Sequence, residues 1–228
     1  MKAKNKQISQ VKNPEKLPLW NLSDLYKSKS SKELTNDLNF IKIKTKKFEK
    51  KYFNKLHNLN SKQLYQSIFE LEKIDMVMDK ILSYAHLLVA QDGNNEKNKI
   101  FFQQMQEKIT KFSSSLIFFT LELNQISEKK INLFYKNKKI IKYKNWIKNK
   151  RSFKPYQLEK KLEKFLQDKR ITSSYAWIRL FDETIASLKF PYKNKELSSS
   201  EILNLLSDTN PSSRKKAAKS IGKTLEDN

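Results

Sequence analysis

Two long amphipathic stretches dominate the pattern of apolar and polar positions along the chain. In residues 61–91 apolar side chains recur every three or four positions, and from Met76 onward they spread around the whole circumference. A helix that is apolar on all sides packs against neighbours on several sides. Residues 95–126 repeat the stripe in steps of four and three, so the sequence predicts two long helices, 61–91 and 95–126.

A short polar break separates these two stretches and predicts how they are arranged. Residues 92–95 read Asp-Gly-Asn-Asn, and Gly93 is one of only two glycines in the chain. Glycine favours the left-handed residue that ends many helices, and asparagine favours the cap of the next one. We therefore expect an antiparallel helical hairpin over residues 61–126, with Phe112 and Leu116 buried against its first arm.

The chain before the hairpin predicts a tail, an arm and one helix. Residues 1–16 are polar and basic, and we expect them to be disordered. The segment Trp20–Tyr26 alternates large apolar residues with polar ones, which predicts an irregular arm anchored by Trp20. A helix with a lysine-rich outer face is predicted over residues 31–56, and His57 follows at its end.

The chain after the hairpin predicts shorter elements. A helix over 175–188 should turn Trp177, Leu180, Phe181, Ile185 and Leu188 inward, and residues 189–197 form the single strand candidate, a small β-hairpin. Ser198 and Glu201 form a capping box for the next helix. Asn210 and Pro211 begin the last one. That helix is still apolar on one face where the sequence stops, so the chain looks cut, and we expect Ile202, Leu205, Leu206 and Ile221 to be exposed.

These elements place the chain in the mainly α class, as a long antiparallel helical hairpin within a multi-helix array. Two glycines and five prolines leave little room for the turns of a β-rich fold. We divide the chain into a basic tail (1–16), an N-terminal helical domain (17–150) and a second helical segment (151–228). The chain has no cysteine, and its most apolar window, Ser115–Leu123, is too short for a membrane span of about twenty residues. We predict a soluble cytoplasmic protein without a membrane partner.

The net charge of +23 raises the question of nucleic-acid binding. Only four of the 47 basic residues are arginine, whose planar fork reads phosphates and bases best. Abundant lysine and asparagine also follow from adenine-rich codons. The segment Ser127–Arg151 is the most basic and interleaves aromatic residues, as in proteins that stack single-stranded bases. Its apolar residues recur at nearly helical spacing, however, which favours a core role: Ile131, Phe134, Tyr135, Ile141 and Trp146.

Metal chemistry is not expected from this chain. A catalytic zinc needs about three protein ligands, and the sequence offers no thiolate and only two histidines, His57 and His86. His57 is expected to cap a helix end, and His86 to be a buried histidine that is hydrogen-bonded to a neighbour. We predict no catalytic, cofactor-binding or metal-binding residue.

Several segments in series resemble the N-terminal region of oligoendopeptidase F, a zinc metallopeptidase related to thimet oligopeptidase. One departure lies at Arg151–Lys169, where lysines replace the acidic, serine-containing run of the family, so the resemblance does not extend a channel-lining role to this segment. The residues that carry the resemblance are Trp20-Asn21-Leu22-Ser23-Asp24-Leu25-Tyr26, Tyr84, Asp92 and Asn95, Ala176-Trp177-Ile178-Arg179-Leu180-Phe181-Asp182-Glu183, Leu197-Ser198 through Leu205-Leu206, and Arg214 with Ala217-Ala218.

The resemblance implies the N-terminal helical part of a peptidase that hydrolyses short peptides, forming part of the wall of its substrate channel. In this family a His-Glu-x-x-His helix in the C-terminal half holds zinc, and its glutamate activates water. This chain lacks that motif. Its expected partners are therefore the missing C-terminal catalytic domain and, for the complete enzyme, zinc and short peptides. Alone, the chain should be inactive.

Two other functions stay open on the sequence. The chain could be a free-standing basic helical protein that binds nucleic acid through residues 127–170, although nucleic acid is not the expected partner. It could also be a peptidase-derived scaffold that binds another protein.

Overall fold

The computed structural model describes residues 20–93 and 95–228, so the predicted disorder of residues 1–16 lies outside the described residues. The mainly α class is confirmed. No helix in the described ranges is both long and apolar enough to cross a membrane. In chain order the elements are α1 (Lys32–Tyr52), α2 (Ser61–Gln91), α3 (Glu96–Ser113), α4 (Ile117–Gln125), α5 (Glu128–Phe134), α6 (Lys144–Ser152), α7 (Lys160–Lys169), α8 (Ser174–Ser187), β1 (Phe190–Tyr192), β2 (Lys195–Leu197), α9 (Ser199–Asn204) and α10 (Pro211–Glu226).

The predicted helical hairpin is present, and its first arm has the predicted bounds. Asn60 and Gln63 form a capping box that begins α2, and the Asn95 side chain caps α3. Near the turn, the Asn98 side-chain amide donates a hydrogen bond of 2.9 Å to the carbonyl oxygen of Leu88. The Tyr84 and Phe101 rings meet edge to face there, 6.1 Å apart. The two helices therefore pack against each other, as the sequence predicts.

The second arm is not one continuous helix, which corrects the prediction. A 3-10 turn, Ser114–Leu116, separates α3 from α4, and this turn packs on α1. Leu116 is buried as expected, but Phe112 is only half-buried. The Ser113 and Ser115 hydroxyls bond back to carbonyl oxygens three residues earlier, at 3.1 and 2.8 Å. Such bonds compete with the helical ladder and redirect the chain.

The rest of the main core forms where α4 meets α1. Phe118 and Phe119 both approach Phe48, with ring centroids 6.0 and 5.5 Å apart. All three rings are buried. The second half of the predicted hairpin arm thus packs on α1 through the 3-10 turn and these rings, and α4 also contacts α6 and α7. The helix α2 is covered by α1 and α3.

The N-terminal arm is anchored by Tyr26, which corrects the prediction for Trp20. Trp20 is 55% exposed, whereas Tyr26 is 2% exposed. The Tyr26 hydroxyl donates a 2.7 Å hydrogen bond to Asp37, and its ring meets Tyr84 edge to face. Burial, and then the Asp37 carboxylate, raise the pKa of Tyr26 well above its usual range. The tyrosine can be buried because its one polar atom has a partner.

A second, smaller core lies at the C-terminal end of the chain. The predicted β-hairpin is confirmed, with Phe190 opposite Leu197 and Lys193 at φ 54° in its turn. The capping box of Ser198 and Glu201 begins α9, and Asn210 caps α10, as predicted. Together β1, α9 and α10 enclose the buried side chains of this core, which are Leu188, Phe190, Ile202 and Ala217.

The apolar face of the last helices is therefore largely covered by the chain itself, contrary to the prediction. Ile202 is completely buried, and Leu205 and Ile221 are packed against it, while Leu206 is 39% exposed. The prediction failed because the short hairpin, which contributes Phe190, supplies a cover that helical periodicity does not reveal.

Candidate functional surfaces

The two histidines occupy separate surface positions. His57 lies in a 3-10 turn after α1, where its carbonyl oxygen accepts a hydrogen bond from Lys130. His86 lies on α2 and is exposed, which corrects the prediction that it is buried. Its ring faces Phe102 across 5.6 Å. In residues 20–93 and 95–228, no group of three or more histidines, aspartates and glutamates is placed to hold a metal ion.

The aromatic residues of the basic segment 127–151 lean against the core. Phe134 is buried, and Tyr135, Tyr143 and Trp146 are half-buried against the main core. Ile140 occupies the core position that the sequence assigned to Ile141, which is 52% exposed. The shift arises because a 3-10 turn, Ile140–Tyr143, replaces α-helical spacing here. A row of free rings for stacking bases is therefore not formed by this segment.

Two of these tyrosines have perturbed phenols. Burial, and then a 2.6 Å hydrogen bond to Glu72 on α2, raise the pKa of Tyr143 to about 12. Burial also raises the pKa of Tyr135. The Tyr143 hydroxyl thereby links the basic segment to α2.

A buried arginine ties together the helices on either side of the basic segment. The Arg151 guanidinium is 6% exposed and donates hydrogen bonds to the Leu123 carbonyl oxygen and to the Glu128 carboxylate. It therefore joins α4, α5 and α6 at one point. Because two groups accept from it, the buried charge is compensated. In the sequence Arg151 only marks the end of the most basic segment, and its role could not be found there because its partners lie 23 and 28 residues away.

Polar side chains of α4 organise two further junctions. The Glu122 carboxylate accepts hydrogen bonds from the backbone amides of Asn54 and Leu56, at 2.7 and 3.3 Å. Asn54 has φ 57°, so this carboxylate holds the left-handed residue that turns the chain after α1. Asn124 donates a 2.8 Å hydrogen bond to Gln157, just before α7. The signal in the sequence is one polar residue inside the most apolar window, Glu122, and a second, Asn124, directly after it.

One carboxyl beside the basic segment titrates unusually. Asp75 lies at the surface of α2, but nearby protein atoms remove part of the hydration of its carboxylate. This desolvation, and then the negative charge of Asp79 one turn along α2, raise the pKa of Asp75 to about 6, while Lys150 on α6 opposes the shift. The folded protein therefore disfavours the charged form of Asp75, and its stability depends on pH.

The helix α8 presents large apolar side chains to solvent, which corrects the prediction that they face inward. Trp177 is 72% exposed, Phe181 is 65% exposed and Leu180 is 53% exposed. Only the C-terminal end follows the prediction, with Leu188 buried and Ile185 half-buried. The helix α7 shares this property. Three of its apolar residues are about half exposed, Leu162, Phe165 and Leu166, and so is Leu158 just before it.

Comparisons with known proteins agree with the resemblance. Residues 122–190 match the profile of the N-terminal peptidase M3 family that carries the description Oligopeptidase F. The matched range contains Glu122, Asn124, Arg151, α7 and α8. No curated protein matches the chain.

Two crystal structures share the fold. The oligoendopeptidase-F of Enterococcus faecium is 21% identical and has a TM-score of 0.68, over 86% of this chain and 38% of that one. A candidate peptidase of Chlamydophila abortus is 17% identical, with a TM-score of 0.51, over 92% of this chain and 36% of that one. The chain thus spans less than two fifths of each solved relative. In both its sequence profile and its fold, this chain resembles the N-terminal region of oligoendopeptidase F, as the sequence predicts.

Proposed function

We propose that this chain is the N-terminal helical part of an oligoendopeptidase F-like zinc metallopeptidase that hydrolyses short peptides. The observation that carries the proposal is the family match over residues 122–190, which lies inside a fold match covering 86% of the chain. The sequence contains no His-Glu-x-x-His motif, so the catalytic half is a different stretch of polypeptide. The cytoplasmic location stays a prediction.

In this function the chain contributes walls and not chemistry. The described residues offer no metal-binding group, so zinc is held by the catalytic half. The long helices α2 and α3 and the junctions at Glu122 and Arg151 make a stiff body on which the other half can close. An enclosing wall admits short, extended peptides and keeps folded proteins from the reacting centre. It also excludes water from the site, which strengthens the electrostatic interactions inside it.

Co-expression tests the proposal directly. Residues 1–228 are produced together with a polypeptide that carries the His-Glu-x-x-His motif of this family. We expect the pair to cleave internally quenched peptides of about ten residues and to leave a folded protein substrate intact. Each polypeptide alone should be inactive, and removal of zinc by a chelator should abolish cleavage by the pair.

Three outcomes would overturn the proposal. Cleavage by the chain alone would mean that it holds its own catalytic residues. Full activity of the zinc polypeptide alone would make this chain dispensable. Absence of any cleavage by the pair would favour the alternative that the chain is a scaffold for another protein. The nucleic-acid alternative receives no support from the basic segment, because its rings lean on the core.

A further inference from the structure

The apolar stripe of α8 is continuous along the helix, but only one end of it is covered. At about 100° per residue, Trp177, Phe181, Ile185 and Leu188 fall on one side of the helix. Leu188 is buried and Ile185 is half-buried by the hairpin and α10, whereas the first turns are open. Arg179, Asp182 and Glu183 lie on the opposite side. The helix is therefore amphipathic, and its open apolar side is not a random scatter of surface residues.

The open part of the stripe is large enough to indicate an interface. Its members, Trp177, Ile178, Leu180 and Phe181, are 72, 56, 53 and 65% exposed. Aromatic side chains bury 150–250 Å² each, so these four expose on the order of 500 Å², near the upper end of the largest patch on typical monomers. Patches of this size are often functional.

We propose that this α8 stripe is the surface on which the catalytic half of the peptidase docks. The inference rests on the proposed function and names its interface. Two observations select this occupant. The stripe lies inside the range that matches the family profile, residues 122–190. The solved relatives with this fold also continue far beyond it, because this chain covers only 38% and 36% of them.

The open apolar surface lies on α8 and not on the last helices, where the sequence predicted it. The C-terminal helices were expected to carry the docking face, but Ile202 and Ala217 are completely buried under the hairpin. That second core instead holds the end of α8 in place through Leu188. The hairpin and α10 therefore act as a support that presents the open turns of α8 to the partner.

The test uses residues 1–228 co-expressed with a polypeptide that carries the His-Glu-x-x-His motif of this family. The interface variant is Trp177→Ser with Phe181→Ser, and the matched control is Met76→Ser with Ile100→Ser. Met76 is 65% exposed and Ile100 is 55% exposed, and both lie outside the stripe. Affinity purification measures assembly, and cleavage of quenched peptides measures activity. Thermal melts check folding, and neither variant should shift Tm by more than about 2 °C.

We expect the interface variant to weaken assembly at least tenfold and to lose cleavage in proportion, while the control matches the wild type. A second variant on the same helix, Leu180→Ser, should give a smaller loss in the same direction. If the wild-type pair is active and the interface variant assembles equally well, the docking surface is wrong and the proposed function stands. If the wild-type pair never assembles, the proposed function fails and the docking surface with it. If the wild-type chain forms a dimer with itself and the interface variant does not, the stripe binds a second copy of this chain, and the proposal is overturned.

Discussion

Truncation of Phe119 tests where the second half of the hairpin arm packs. Phe119 is completely buried, with its ring 5.5 Å from Phe48 on α1 and 6.4 Å from Phe118. Phe119→Ala removes a whole ring from a close-packed site, which costs about 3–5 kcal/mol. For a chain of this size each kcal/mol lowers Tm by about 2–4 °C, so we expect a drop of roughly 6–20 °C. The measurement is calorimetry or denaturant unfolding of the complete chain.

Two control variants remove the same ring at less buried positions. Phe153→Ala removes the same ring from a residue that is 68% exposed, and it should change the free energy of unfolding by less than about 0.5 kcal/mol. Phe112→Ala, at a half-buried position of α3, should fall between the two.

A double-mutant cycle then identifies the neighbour. Phe119 and Phe48 are in contact, so their truncations should couple by about 0.5–3 kcal/mol. A continuous two-helix hairpin would instead place Phe119 opposite Ile68, which lies equally far from the turn on α2. Stronger coupling of Phe119 to Ile68 than to Phe48 would refute the assignment of α4 to α1.

Three further predictions concern charge, metal and nucleic acid. The pKa of Asp75 is about 6 in the folded protein, whereas an unfolded aspartate titrates near pH 4, so the folded state loses stability as the pH rises from about 4 to about 6. The Asp75→Asn variant should therefore have the same Tm as the wild type at pH 4 and a higher Tm than the wild type at pH 8. If the difference in Tm between Asp75→Asn and the wild type were the same at pH 4 and at pH 8, the prediction would be wrong. Elemental analysis of the purified chain should find far less than one zinc per molecule. One zinc per molecule in the wild type that is absent in His86→Ala would instead show that His86 binds zinc. Gel shifts with single-stranded DNA should show weak binding without sequence preference that vanishes near physiological salt; selective binding at that salt would restore the nucleic-acid function.

Local signals predicted the helix boundaries well. The first arm has its predicted bounds because a capping box at Asn60 begins it and the polar break at residues 92–95 ends it. The left-handed conformation predicted for Gly93 is not adopted, since α2 ends on an extended Asp92 instead. The β-hairpin and the capping box at Ser198 were also predicted, for the same reason. The interruption of the second arm was missed, although three consecutive serines at 113–115 are a local signal for a break.

Burial of single residues was predicted less well, because neighbours in sequence point in different directions on a helix. His86 has apolar neighbours, yet one step along a helix turns the side chain by about 100°. Ala85 is therefore buried while His86 is exposed. The role of Arg151 could not be predicted from its surroundings either, because Leu123 and Glu128 reach it only after α4, α5 and α6 have packed.

The stripe of α8 shows what periodicity leaves undetermined. Helical spacing predicts that Trp177, Phe181 and Leu188, the residue directly after α8, share one side, but it does not say what covers that side. The chain itself covers Leu188 and leaves Trp177 open. Because its far end is already held by the second core, α8 does not have to fold when a partner arrives. Ordering of a helix during binding would consume part of the interaction free energy, so a helix that is anchored beforehand presents its apolar side at lower cost. An anchored end and an open stripe on one helix are what a docking element requires, and this is why the Trp177→Ser with Phe181→Ser variant should weaken assembly without weakening the fold.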